Sequence, residues 1–122
     1  MNQPIKISPA EKFQLFHEQW SPKIVGDLND CQVKLVKVQG EFNWHHHQNE
    51  DELFVVVKGR LTIQFRDRNL EAGPGEMILV PRMVEHCPKA DEEAWIVLID
   101  PAGTPNTGNV RTDRTVDEPE RL

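Results

Sequence analysis

With 122 residues, 38% of them hydrophobic, the chain has material for one modest core, and a single domain is the natural expectation. A net charge of -6 and a pI near 5.3 argue against non-specific attraction to nucleic acid or anionic lipid, both of which favour a basic surface. The longest apolar run, Ala94 to Ile99, falls well short of the roughly 18 residues of a membrane span.

The N-terminus carries no apolar stretch followed by a small-residue cleavage site. Cys31 and Cys87 are far apart and are expected as free thiols in a reducing compartment, with a cytoplasmic address as the default. The first element predicted is a helix. Ser8 can cap it, Pro9 suits its first position, and Glu11 stands where a capping box needs an acid. Phe13, Phe16, His17 and Trp20 recur at helical spacing, so one amphipathic helix is expected to run up to Ser21-Pro22, with His17 as a core or interface histidine.

From Lys23 onward the signals are strands. Ile24–Leu28, Cys31–Val38 and Phe42–His47 come first, separated by Asn29-Asp30 and Gly40. Leu53–Val57 is a continuous apolar run, as expected of a strand buried on both faces. Lys58-Gly59 makes a tight connection to Leu61–Arg66, where apolar and polar residues alternate. Asp67-Arg68-Asn69 and Ala72-Gly73-Pro74-Gly75 read as turns, and Met77–Val80 and Trp95–Ile99 as two more strands. Short strands with frequent turns indicate an all-β sandwich or barrel. The expected organisation is an N-terminal helical segment (1–22), a barrel (23–100) and a tail (101–122), the last being either an arm laid on the barrel or a solvated segment.

Chemistry concentrates in Trp44-His45-His46-His47-Gln48-Asn49-Glu50-Asp51-Glu52. A strand sends alternate side chains to one face, so His45 and His47 project together and His46 points away. Glu52, beyond a polar turn, can add an oxygen, and His86 is the one histidine further downstream. From spacing alone, a solvated histidine run and a metal site remain open alternatives.

The chain resembles the cupin superfamily. The first motif of that family is matched by Gly40, His45, His47, Glu52 and Gly59, and the second by Gly75, Pro81 and His86. In length and tail the chain is also similar to small single-domain cupins labelled mannose-6-phosphate isomerase-like. Three departures stand out. Four residues separate Gly40 from His45 where the family has five, Met83 replaces a glycine, and Ala90 replaces an asparagine. The first departure creates a rival register, His46 and Gln48 with Glu52 and His86. Two imidazoles suit a borderline metal better than one imidazole and a neutral amide, which favours His45 and His47.

The resemblance implies a double-stranded β-helix, the jelly-roll barrel of the family, holding one divalent transition metal through His45, His47, Glu52 and His86. Iron, manganese, nickel, copper and zinc all suit these ligands, whereas calcium and magnesium prefer oxygen. The histidines must be neutral to bind, so affinity is expected to fall below about pH 6.5. Expected pocket walls are Phe42, Phe54, Val56, Met77, Leu79, Trp95 and Val97, which suit a small organic ligand. The expected function is a metal-dependent oxygenase or isomerase, or else a non-catalytic metal or small-ligand binding module, in a homodimer.

Overall fold

The computed structural model describes residues 3–122. Its elements in chain order are α1 (Pro9–Phe13), β1 (Lys23–Leu28), β2 (Cys31–Glu41), β3 (Glu52–Lys58), β4 (Leu61–Phe65), β5 (Asn69–Ala72), β6 (Met77–Val80), β7 (His86–Pro101) and β8 (Glu120–Arg121). The architecture is all-β with a short helix, as expected. None of the helices among the described residues is long and apolar enough to cross a membrane.

Strand β7 organises the barrel. Along one side it pairs antiparallel with β2 over nearly its whole length, from Cys31↔Pro101 to Glu41↔Lys89. Along the other side its two halves have different neighbours. Residues 86–89 pair with β4, and residues 95–99 pair with β3. Strand β5 extends the first wing and β6 the second. A bulge between Val38 and Gly40 falls where the partner of β7 changes, and the extra twist of a bulge bends both long strands there. The two wings thus fold over one core, with Val36, Val56, Ile63, Val80 and Ile96 at its centre.

A second apolar cluster lies on the other face of β1, β2 and β7. It contains Phe13, Phe16, Val25 and Leu35, with Trp95 and Val97 packed against it. Phe13 is fully buried and stacks on Trp95 at 4.8 Å. Burying such a ring contributes about 1.5–3 kcal/mol.

This second cluster explains why the helix is shorter than the periodicity predicts. Ser8 does cap α1, accepting a hydrogen bond from the Glu11 amide at 3.4 Å. The helix then stops at Phe13, because Phe16 belongs to the outer cluster and Trp20 to the barrel core. One helical stripe cannot face both. His17, expected in a core or interface, is exposed.

Three further differences have physical causes. Leu53, Val55 and Val57 are half-buried, so β3 has one fully buried face rather than two. Asn69–Ala72, bordered by turn residues and mostly exposed, is held as β5 by its ladder with β4. Strand β7 begins nine residues before the apolar run Trp95–Ile99, because pairing with β2 and β4 overrides the polar composition of 86–93. The C-terminal tail lies on the barrel as an arm: β8 pairs parallel with β1, and Leu122 donates its amide to Ile24 O at 2.9 Å.

Candidate metal centre

Residues 42–47, expected as a strand, form an extended segment anchored to β7 at one bridge. There His45 and His86 exchange both backbone hydrogen bonds, at 3.0 and 2.9 Å. That pairing brings their rings to a centroid separation of 4.4 Å. The extended backbone still alternates, so His45 and His47 point into the barrel, each 3% exposed. Glu52 opens β3 on the same inward parity as Phe54 and Val56. Three separate stretches of chain therefore deliver His45, His47, Glu52 and His86 to one place. All four are buried, and one ligand atom from each lies within 4.8 Å of every other. His46 is half-buried and Gln48 exposed, and neither joins the group.

The ring tautomers are set by the backbone. His45 Nδ1 lies 2.9 Å from Asn43 O, and His86 Nδ1 lies 2.9 Å from Val84 O. Each Nδ1 donates to a carbonyl, which leaves each Nε2 with a lone pair for an ion. The Nε2 atoms of His47 and His86 have no hydrogen-bond partner, although Glu52 Oε1 lies 2.9 Å from the first and 3.6 Å from the second. Those contacts are short but lack hydrogen-bond geometry. A buried nitrogen without a partner costs about 1–3 kcal/mol. Ligands about 2.1 Å from a shared ion lie up to about 4.2 Å apart, close to the spread seen here. The residues present fit a metal ion.

Electrostatics separate the three imidazoles and two acids. Burial, helped by the neighbouring His86, pushes the His45 pKa down to about 4. Burial also opposes charge on His47, but the adjoining Glu52 carboxylate outweighs it and raises that pKa. Glu52 is itself almost fully desolvated, yet His47 and His86 hold it well below the usual carboxylate range. Behind it stands Asp100, where burial and the Glu52 charge push the pKa up to about 8, against the pull of Lys34. Lys34 Nζ lies 2.8 Å from Asp100 Oδ1, and both side chains are buried.

Asp100 and Lys34 fall in no motif, and the strand ladders turn them inward. Asp100 shares the inward parity of Ile96 and Leu98, and Lys34 that of Val36 and Val38.

A cavity of about 40 Å³ adjoins His45 and Glu52, walled by Trp20, Phe42, Phe54, Leu61, Ile96 and Leu98. Of the expected wall residues, Phe42 and Phe54 line it, and Val56 lies in the adjoining core. The other four do not. Met77 and Leu79 are 61% and 65% exposed, while Trp95 and Val97 pack in the outer cluster. The cause is a slip of one residue in two continuous apolar runs, which reverses the face of every side chain. Trp20, Leu61, Ile96 and Leu98 take wall positions instead. Trp20 reaches the cavity through a left-handed backbone, with φ of 58°, and stacks on Phe42 at 4.6 Å.

The C-terminal arm covers this region. Asn109 brackets the His46 backbone, donating its amide to His46 O at 3.0 Å and accepting from His46 N at 2.9 Å. A Cβ at Gly108 would sit 2.5 Å from His46 O and 2.6 Å from the His45 ring, so only glycine lets the arm lie this close.

The family model described as Cupin domain (Cupin_2) matches residues 33–100. The chain is 36% identical over 63 residues to the Uncharacterized protein YdbB of Bacillus subtilis, a match covering 51% of this chain and 56% of the relative's length. Among solved structures it is similar to a cupin-2 domain containing protein from Shewanella frigidimarina. That match has 49% identity and a TM-score of 0.77, covering 78% of this chain and 93% of the other. Protein NMB1881 from Neisseria meningitidis follows at 29% identity and a TM-score of 0.73, covering 80% of this chain and 100% of that one.

Proposed function

The chain belongs to the cupin family, and we propose that it holds one divalent transition metal through His45, His47, Glu52 and His86 and presents it to a small organic molecule. One observation carries this reading. Three imidazoles and one carboxylate converge within 4.8 Å in a buried site, where two Nε2 atoms have no protein partner.

When bound, the ion supplies Lewis acidity, and iron, manganese or copper adds redox capacity. The protein's own groups do the rest. Carbonyls of Asn43 and Val84 hold two imidazoles in the ligating tautomer. Asp100, backed by Lys34, keeps Glu52 oriented and holds a proton on its own carboxyl near neutral pH. The apolar walls exclude water and favour an apolar substrate body. The activity proposed is that of an oxygenase or an isomerase.

A second reading, a non-catalytic metal or small-ligand binding module, is favoured by the walls themselves. The ionisable residues lining the cavity are His45 and Glu52, and both belong to the metal set. Turnover of a small-molecule panel by metal-loaded protein separates the two readings. Elemental analysis of tag-free protein tests their shared premise. Less than about a tenth of an equivalent of any transition metal after reloading would sink it.

The same proposal takes residues 1–22, 23–100 and 101–122 as N-terminal segment, barrel and arm, supported by the span of β1 to β7. It takes the setting as cytoplasmic, supported by the unpaired thiols of Cys31 and Cys87. It also includes a homodimer. Support comes from β6, an edge strand that pairs with β3 alone and carries the exposed Met77 and Leu79. Light scattering that finds monomer at every concentration would remove that part.

A further inference from the structure

We infer that Arg114 is the anion anchor of the cavity, and that the molecule received there is a short-chain carboxylate. The inference deepens the proposed function and rests on it for the role of the metal, but not for the binding of the anion.

Among the described arginines, Arg60, Arg66, Arg82, Arg111 and Arg121 each face a carboxylate within 4.0 Å. Arg114 does not. Its one side-chain hydrogen bond runs from Nη1 to Glu41 O at 2.7 Å, which leaves Nη2 and Nε for a ligand. The nearby Glu41 carboxylate is turned away, accepting from Gln64 Nε2 at 3.0 Å. Arg68, which also lacks a carboxylate partner, lines a separate surface depression.

The position of Arg114 is what gives its free donors meaning. The guanidinium carbon lies 5.4 Å from the Trp20 ring and 5.7 Å from the Phe42 ring. Both rings wall the cavity, and Phe42 meets His45 edge-on at 5.7 Å. Arg114 is exposed and does not itself line the cavity; it stands against two of the aromatic walls, one of which touches His45.

The turn that carries it is fixed from below by Asn106, itself a wall residue. Asn106 Nδ2 donates to Arg114 O and its Oδ1 accepts from the Val116 amide, both at 2.9 Å. The cation is therefore pre-positioned, and a guanidinium matches a carboxylate with two parallel hydrogen bonds. The cavity, about 40 Å³, has room for about three water-sized groups. The ligand inferred is a carboxylate with a tail of about three carbons, its head on Arg114 and its tail passing Trp20 and Phe42 toward His45 and Glu52.

The test uses the full chain, nitrogen-15 labelled, once loaded with zinc and once metal-free. Butyrate and butyramide are titrated while the Trp20 indole N–H is followed by NMR, with the Trp95 indole in the outer cluster reporting on the fold. Butyrate is expected to bind at least about tenfold more tightly than the neutral amide in both preparations. Arg114→Gln is expected to bring that ratio close to one, Arg114→Lys to keep part of it, and Arg68→Gln to leave it intact. Each variant's metal content is expected to match the parent's.

Four outcomes overturn the proposal. These are equal binding of the two probes, a preference that survives Arg114→Gln, no Trp20 shift with either probe at about 50 mM, or a preference confined to the zinc-loaded protein. The last would assign the anion to the metal. Failure of the metal reading shows separately, as absent metal with the carboxylate preference retained.

Discussion

Lys34 Nζ lies 2.8 Å from Asp100 Oδ1 with both side chains buried, and the Asp100 carboxyl faces Glu52 on its other side. The pair sits on the inward faces of β2 and β7, where the register sets Lys34 opposite Leu98 and Gln32 opposite Asp100. Its position links the stability of the barrel to the orientation of one candidate ligand. Lys34→Met removes the cation and leaves two carboxyl groups together in the interior. Breaking a buried pair from one side typically costs about 3–5 kcal/mol. The raised pKa of Asp100 lets it take up a proton, so the expected loss lies at or below the lower end of that range. Urea denaturation of metal-free protein measures it, and a loss under about 0.5 kcal/mol would show that the pair does not carry this load.

His45 and His46 are adjacent, yet one is 3% exposed among the ligand group and the other is half-buried outside it, its backbone held by Asn109 of the arm. His45→Ala is therefore expected to lower zinc affinity at least about tenfold, and His46→Ala to change it little. Competition with a chromogenic chelator reads both. The opposite ranking would establish the rival register of His46 and Gln48.

Met83 takes the place of a glycine in the turn before His86, and it adopts the backbone a glycine would, with φ of 70°. The turn is thus retained, at a steric cost of roughly 1–2 kcal/mol for a residue with a Cβ. Its amide still reaches His47 O at 2.7 Å, tying the two histidine-bearing segments together. The Met83 side chain is 59% exposed, so little burial is lost on truncation. Met83→Gly is expected to raise stability by up to about 1 kcal/mol, the relief of strain being offset in part by glycine's greater freedom when unfolded. A clear fall in melting temperature would contradict this.

The histidines differ in how they compete with protons. Burial holds His45 neutral down to about pH 4, so it has no proton to release near neutrality. His47, raised by Glu52 against the effect of burial, keeps its proton to a higher pH than a free imidazole. Metal affinity is then expected to rise with pH as His47 gives up its proton, with His45 adding nothing to that rise near neutrality. Titration calorimetry at about pH 6.5 in two buffers of different ionisation enthalpy measures the release, and binding with no proton released there would refute the raised His47.

Much of this protein is legible without its structure. The alternation that pairs His45 with His47, the cap at Ser8, the spans of β1 and β6 and the glycine-marked turns all follow from local chemistry. Local signals act between near neighbours, where spacing and backbone preference are sufficient.

Only the tertiary structure decided the rest. Continuous apolar runs carry no parity, so it took the ladders of β3, β6 and β7 to turn Met77 and Leu79 outward and Ile96 and Leu98 inward. Two apolar clusters, not one, divided Phe16 from Trp20 and ended the helix early. Lys34, Asp100 and Arg114 acquire their roles through partners at least 48 positions away in the chain: Asp100 for Lys34, Glu52 for Asp100, Phe42 for Arg114. Composition and periodicity cannot encode such pairings, because what matters there is which strands lie side by side, and the packing of the whole barrel settles that.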